Sequence, residues 1–63
     1  MNKNDNFLFY IGDNIIHVRS GRKVVVDYYE VRKRDGFLYT IYCCSDEYGF
    51  QVKGHAIDFK REE

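Results

Sequence analysis

The sequence predicts an all-β domain that folds as a small, strongly bent barrel of five or six strands. From residue 7 onward, short runs of β-branched and aromatic residues alternate with clusters of Gly, Asp, Asn and Ser. No segment carries the repeated i, i+3, i+4, i+7 apolar pattern of an amphipathic helix. The 63 residues leave no room for a second folded core, and a flat sheet of this size would leave one face uncovered. We therefore expect one bent sheet around a dense core.

Six strands are predicted between the turn signals, each rich in β-forming residues. They are Phe7–Ile11, Ile15–Arg19, Lys23–Arg32, Phe37–Cys44, Phe50–Lys53 and a short one near Ile57–Lys60. The polar and Asn-rich residues 1–6 are expected to form a flexible N-terminal tail, so that the folded domain spans residues 7–63.

Glycine-containing pairs mark the predicted turns. Asp35-Gly36 is the strongest hairpin signal, because a tight turn needs positive φ angles that Gly adopts without steric cost. Further turns are predicted at Gly12-Asp13-Asn14, Ser20-Gly21 and Tyr48-Gly49. Gly54–Asp58 is the one segment able to form a helical turn, and its length favours a short 3-10 turn near the C-terminus.

The alternation of side chains along each strand predicts which of them point inward. In the third strand, Asp27 belongs in water, which directs the opposite face to the core. The predicted inward sets of the second, third and fourth strands are Ile16 and Val18; Val24, Val26 and Tyr28; and Phe37, Tyr39, Ile41 and Cys43. The other faces then expose several Ile and Tyr side chains.

The series Ile11-Gly12-Asp13-Asn14-Ile15, a Gly-containing loop at Ser20–Lys23, a valine-rich strand, Asp35-Gly36, an aromatic strand and Gly54–Asp58 resembles the SH3-like small barrels. In that superfamily, a Gly-Asp-x-hydrophobic opening and a short 3-10 turn before the closing strand are common. The resemblance covers about Ile11–Lys60 and implies a fold without choosing a function, because these domains bind peptides, RNA, DNA, or ribosomal and polymerase surfaces, and a few are enzymes. A five-stranded OB-like barrel is the alternative fold.

The charge balance argues against a global electrostatic attraction to nucleic acid or membranes. Ten Lys and Arg residues balance ten Asp and Glu residues. The longest uncharged stretch, between Gly36 and Asp46, is far shorter than the ~18 apolar residues of a membrane helix. No basic segment followed by an apolar one opens the chain. We therefore expect a cytoplasmic protein without membrane contact.

Catalytic and metal-binding patterns are missing from the sequence. Cys43 and Cys44 are adjacent, so on a strand one would face the core and the other solvent, and reduced thiols are expected. His17 and His55 have no metal-ligand spacing to these cysteines. Asp46-Glu47 is interpreted as a solvated turn. We expect no metal, no cofactor and no enzymatic activity.

A basic segment is the first candidate binding surface. Six cations lie between residues 19 and 34, where the only acids are Asp27 and Glu30. The candidate phosphate-binding residues are Arg19, Arg22, Lys23, Arg32, Lys33 and Arg34. Tyr28 or Tyr29 would stack on bases. About eight strand residues at ~3.3 Å each separate the two ends of this segment by ~26 Å, so only a long ligand would reach both. Solvated loop charges are the alternative interpretation.

An outward-facing group of apolar and aromatic side chains is the second candidate surface. Its members are Ile15, His17, Tyr29, Leu38 and Tyr42. Tyrosine is enriched at protein interfaces, although partly buried tyrosines that complete a small core are the alternative. We expect a small adaptor or inhibitor that docks onto a larger protein, as accessory proteins of bacteria and phages do, and a monomer or weak homodimer. The alternative function is a nucleic-acid-binding barrel.

Overall fold

The computed structural model describes residues 9–62, which form one antiparallel sheet of five strands. The strands are β1 (Asn14–His17), β2 (Lys23–Arg34), β3 (Phe37–Asp46), β4 (Gln51–Gly54) and β5 (Phe59–Arg61). Their order in the sheet is β4-β3-β2-β1-β5, which places the short strands β4 and β5 at the two edges and leaves the sheet unclosed. The predicted all-β class is confirmed.

The predicted 3-10 turn is also confirmed, over Ala56–Asp58. The Asp58 carboxylate accepts the backbone N–H of His55 at 2.8 Å, which supplies a partner for a donor at the start of the turn. Gly54 packs closely against this carboxylate: a Cβ atom there would lie 2.7 Å from Oδ2 of Asp58, so a larger residue would displace the Asp58 side chain.

The first predicted strand, Phe7–Ile11, is not a strand where the structure describes it. Residues 7 and 8, like the predicted tail at 1–6, lie outside the described residues. From Phe9 the chain enters a turn in which the Asp13 carboxylate accepts the N–H of Tyr10 at 2.9 Å. The Asp13 N–H also donates to the carbonyl of Tyr10, at 2.9 Å, so residues 10–13 form a turn. The end of this turn is attached to β2, because the Gly12 N–H donates to the carbonyl of Val26 and the Val26 N–H donates to the carbonyl of Asp13.

The predicted hairpin turn at Asp35-Gly36 joins β2 and β3. Arg34 pairs with Phe37, so Asp35 and Gly36 form the whole connection. Both have positive φ angles, 52° at Asp35 and 84° at Gly36, as in a type I′ turn. The turn therefore matches the right-handed twist of the two strands.

Replacing Gly36 by Ala is expected to lower the free energy of unfolding by about 1 kcal/mol, because an L side chain is strained at positive φ. Equilibrium urea denaturation measures this loss. Asp35→Asn is the matched control and should leave the midpoint unchanged, since Asn tolerates the left-handed region. An unchanged midpoint for Gly36→Ala would contradict the assigned turn.

The core lies on one face of the sheet. Its aromatic centre consists of Phe9, Tyr42 and Phe59, whose rings meet edge to face with centroids 5.3 to 6.4 Å apart. The buried core residues are Phe9, Ile15, Val24, Val26, Tyr42, Cys44 and Phe59, with Tyr29, Val52 and Ala56 packed against them.

The inward face of β1 is the opposite of the predicted one. Ile15 is 1% exposed and pairs with Val24, whereas Ile16 is half-buried and Val18 is exposed. Apolar residues occupy both phases of this short strand, so alternation alone does not choose between them. Ile15 pairs with Val24, a core residue, so Ile15 lies on the face of β1 that points into the core.

The inward face of β3 also differs from the prediction. Tyr42 and Cys44 point into the core, while Phe37, the first member of the predicted inward set, is 76% exposed. Tyr39 and Ile41 from that set are half-buried. Both faces of this strand carry apolar or aromatic residues, and the face that points inward is the one with Tyr42, which contacts Phe9, and Cys44, which pairs with Val26.

A β-bulge explains the outcome for β2. Val24 and Val26 are buried as predicted, but Tyr28 is 41% exposed and Tyr29 packs against the core instead. Val26 pairs with Cys44, and Tyr28 pairs with the adjacent Cys43. Asp27 is therefore an extra residue in β2, without a partner in β3. The hydroxyl of Ser45 donates to the Asp27 carboxylate at this point. The alternation therefore shifts by one residue.

Candidate functional site

The distal part of the β2–β3 hairpin extends beyond the strands that flank it. β1 pairs with residues 23–25 of β2, and β4 pairs with residues 42–45 of β3. Among the residues that the structure describes, residues 30–41 therefore have only each other as partners in the sheet. This two-stranded segment, hereafter the hairpin arm, presents two faces and the Asp35-Gly36 turn to its surroundings.

Large apolar side chains at the end of the hairpin arm are exposed. Phe37 is 76%, Leu38 71% and Val31 54% exposed. Leu38 is opposite Lys33, and Phe37 is opposite Arg34. Because directly paired residues share a face, each face of the arm tip has one apolar and one cationic side chain. Exposed apolar side chains grouped in this way are typical of interaction sites.

The cations of the hairpin arm differ in their partners. Arg32 donates to Oε1 of Glu30 through Nη2 at 2.6 Å and through Nε at 3.2 Å. This hydrogen bond and the charge of Arg32 lower the pKa of the Glu30 carboxyl. Lys33 and Arg34 form no ion pair with any residue in the range 9–62. Two cations at the arm tip are thus available to a ligand.

The predicted outward-facing group does not exist as one surface. Ile15 and Tyr42 are each 1% exposed and belong to the core, so their predicted exposure is wrong. Tyr29 is half-buried against that core, and His17 lies half-buried near Phe59, with ring centroids 5.5 Å apart. Leu38 alone is largely exposed. The error follows from the reversed strand phases described above.

The predicted cationic residues fall into two groups at opposite ends of β2. Arg22 contacts Oδ2 of Asp46 at 2.6 Å, and Lys23 contacts Oε2 of Glu62 at 3.1 Å. The group near the start of the strand is Arg19, Arg22 and Lys23, and the group at its end is Arg32, Lys33 and Arg34. Phosphate binding by these residues stays a prediction.

Asp46 has a structural role that sequence reasoning missed. Its side chain is 2% exposed, so the predicted solvated turn is wrong at this residue. One carboxylate oxygen accepts the N–H groups of Tyr48 and Phe50, each at 2.9 Å, and the other accepts from Arg22. Burial raises the pKa of Asp46, but these hydrogen bonds more than offset it and hold the pKa below its ordinary value. An Asp two residues before Tyr48-Gly49 is the signal that was available, because Asp often bonds to the backbone two residues later.

The loop fixed by Asp46 borders a cleft of about 320 Å³. Tyr48 and Phe50 project from this loop and are exposed. The lining residues are Gly21, Arg22, Lys23, Asp46, Glu47 and Tyr48. Since Arg22 and Lys23 are both bound to carboxylates, this cleft offers less uncompensated charge than the hairpin arm.

The two cysteines are free and both are buried. The prediction that one of them faces solvent is wrong, because Cys43 is 3% exposed and Cys44 is 1% exposed. Burial raises the pKa of the Cys44 thiol to about 11, so it stays protonated at neutral pH. In the part of the chain that the structure describes, no three His, Cys, Asp or Glu side chains are grouped for a metal ion.

Comparisons with known proteins give no match to a family model, a curated protein or a solved structure. Within residues 9–62, no helix has the length and apolar character needed to cross a membrane.

Proposed function

We propose that this protein is a small, non-enzymatic binding module that docks onto a larger protein, as an adaptor or inhibitor, through its hairpin arm. The observation that carries the proposal is the exposure of Phe37 and Leu38 beside Lys33 and Arg34, which have no ion pair within residues 9–62. Exposed aromatic and aliphatic side chains next to cations are typical of the centre and rim of protein interfaces.

As the fold of this module we propose an SH3-like barrel. The pairing of β1 with β5 supports it, because it brings an early and the last strand of the described chain together. Support also comes from Gly12-Asp13 before β1 and from the 3-10 turn directly before β5. Closure would require β4 and β5, the two edges of the sheet, to approach each other.

The geometry supports nucleic-acid binding less well than protein binding. Arg22, Lys23 and Arg32 are each bound to a carboxylate, which reduces the charge available to phosphates. The remaining two cations of the hairpin arm would neutralise few phosphates, and affinity for nucleic acid depends on how many are neutralised. Phe37 and Leu38 would moreover stay in water unless they entered a base stack.

Affinity capture tests the proposed function directly. The tagged protein and its Phe37→Ser/Leu38→Ser variant are used with lysate of the cells that produce it, with and without nuclease. We expect the variant to capture at least tenfold less of each protein that the unmodified chain enriches, because truncation removes the exposed apolar contacts. Its free energy of unfolding should change by no more than about 0.5 kcal/mol, since both residues are exposed.

Ile57→Ser is the matched control, because Ile57 is exposed but lies in the 3-10 turn, outside the hairpin arm. It should retain every enriched protein. Capture that survives the arm substitution, or that disappears on nuclease treatment, would contradict docking through the arm to a protein.

A further inference from the structure

We infer that the hairpin arm fits an apolar recess bordered by carboxylates on the partner protein. Phe37 and Leu38 would occupy the recess, and Lys33 and Arg34 would pair with the carboxylates. The inference rests on the proposed function and specifies the chemistry of the surface that the arm recognises.

The two faces of the arm tip explain why the partner surface is a recess. Phe37 lies across from Arg34 on one face, and Leu38 lies across from Lys33 on the other. A flat partner would cover one face and leave the apolar side chain of the other in water. Both Phe37 and Leu38 are covered only if the tip enters a groove or pocket, because a two-stranded ribbon separates its faces by its own thickness.

The charge of the tip explains why carboxylates border the recess. Each cation lies directly opposite an apolar residue, at the ~4.5–5.5 Å between Cβ atoms of cross-strand pairs, so covering the apolar residue also removes water from the cation. Burial of an unpaired charge is unfavourable. Arg32 already has Glu30 at 2.6 Å, whereas Lys33 and Arg34 have no acid partner within residues 9–62. The partner must therefore supply the acids.

A second copy of this chain fits the arm poorly. A symmetric dimer built from two arms would place Lys33 and Arg34 of both copies in one interface. Within residues 30–41 the acids are Glu30, which binds Arg32, and Asp35, so two arms would bring four unpaired cations together with two unpaired carboxylates. The chemistry of the tip is complementary to a different, acidic protein.

Selection from a random 12-residue peptide library displayed on phage, against the folded full chain, tests the inference. We expect the selected peptides to combine large apolar residues with adjacent Asp or Glu. Fluorescence anisotropy then measures the affinity of one labelled selected peptide. Lys33→Glu/Arg34→Glu should weaken it at least tenfold, and raising the salt from 50 to 300 mM should also weaken it.

Arg19→Glu/Lys60→Glu is the matched control, because it makes the same change in net charge at exposed cations outside the arm. It should bind as tightly as the unmodified chain. Arg32→Gln should have a smaller effect than Arg34→Gln, since Arg32 is held by Glu30 within the arm.

The outcomes separate the inference from the proposed function. Peptides that need Phe37 and Leu38 but lack acids, or that tolerate the charge reversal, would overturn the acidic recess and leave docking through the arm intact. A failure to select peptides that depend on the arm, combined with arm-dependent binding of a labelled 20-nucleotide DNA, would overturn both. An arm-dependent dimer in sedimentation velocity would replace the acidic partner with a second copy.

Discussion

Replacement of Tyr42 by Ala is expected to remove most of the stability of this protein. Tyr42 is 1% exposed, and its ring meets those of Phe9, Tyr29 and Phe59 with centroids 5.3 to 6.4 Å apart. Truncation of a buried aromatic side chain to Ala costs about 3–5 kcal/mol. A domain of this length has a total free energy of unfolding of only ~3–9 kcal/mol. The substitution therefore leaves a marginally folded or unfolded chain.

Circular dichroism with urea denaturation measures this effect. Tyr42→Phe keeps the ring contacts and should lose much less stability than Tyr42→Ala. Leu38→Ala, at an exposed position of the same strand face, should change the free energy of unfolding by no more than about 0.5 kcal/mol. Equal stability of Tyr42→Ala and Leu38→Ala would place Tyr42 at the surface and contradict the described core.

Replacement of Asp46 by Ala is expected to release the loop between β3 and β4. The change removes the acceptor for the N–H groups of Tyr48 and Phe50 and leaves Arg22 without its carboxylate. Donors that lose their only protein partner are unfavourable unless water reaches them. We expect a melting temperature several degrees lower and faster hydrogen exchange at these two amides. Glu47→Ala, at an exposed neighbour, is the matched control and should change neither.

Asp46 also predicts how stability depends on pH. The folded chain holds the pKa of this carboxyl below its ordinary value of 3.8, so ionised Asp46 favours the folded state. Its contribution is complete above the pKa of the unfolded chain and declines as the pH falls from about 4 through the lower folded pKa. Urea midpoints measured between pH 7 and 2.5 should fall less for Asp46→Ala than for the unmodified chain. Parallel decreases would show that another carboxyl accounts for the acid sensitivity.

Local chemistry was enough to predict the features that depend on neighbouring residues. The Asp35-Gly36 turn requires only the positive φ angles of those two residues, and the 3-10 turn before β5 follows from a short segment between a glycine and a strand. Val24 and Val26 were placed correctly because Asp27, next to them, belongs on the opposite face.

The errors arose where distant residues decide the local arrangement. β1 and β3 have apolar residues on both faces, so the face that becomes buried is the one that Phe9 covers. No local sequence pattern predicts which face that is. Asp46 is enclosed partly through Arg22, which is 24 residues away in the sequence. Such contacts exist only after the strands have paired.

The candidate site was predicted in part. Arg32, Lys33 and Arg34 were singled out from their charge, and Leu38 from its position on a strand. The grouping of these residues on a hairpin that projects beyond the neighbouring strands could not be predicted, because it depends on β1 and β4 being shorter than β2 and β3. The mistaken inclusion of Tyr42 and Ile15 has the same origin as the reversed phases.

The bulge at Asp27 affects the direction in which the hairpin arm projects but not which side chains lie on each of its faces. Val26 and Tyr28 keep their partners Cys44 and Cys43 on β3 whether or not a residue lies between them, so a deletion of Asp27 would retain every face of the arm. It would remove the bend and added twist that a bulge introduces into a strand. The direction of the arm relative to the rest of the sheet therefore depends on chain length at one position outside the arm. If the arm docks as proposed, an insertion or deletion at this position would change the direction from which it meets a partner while its exposed side chains stay the same.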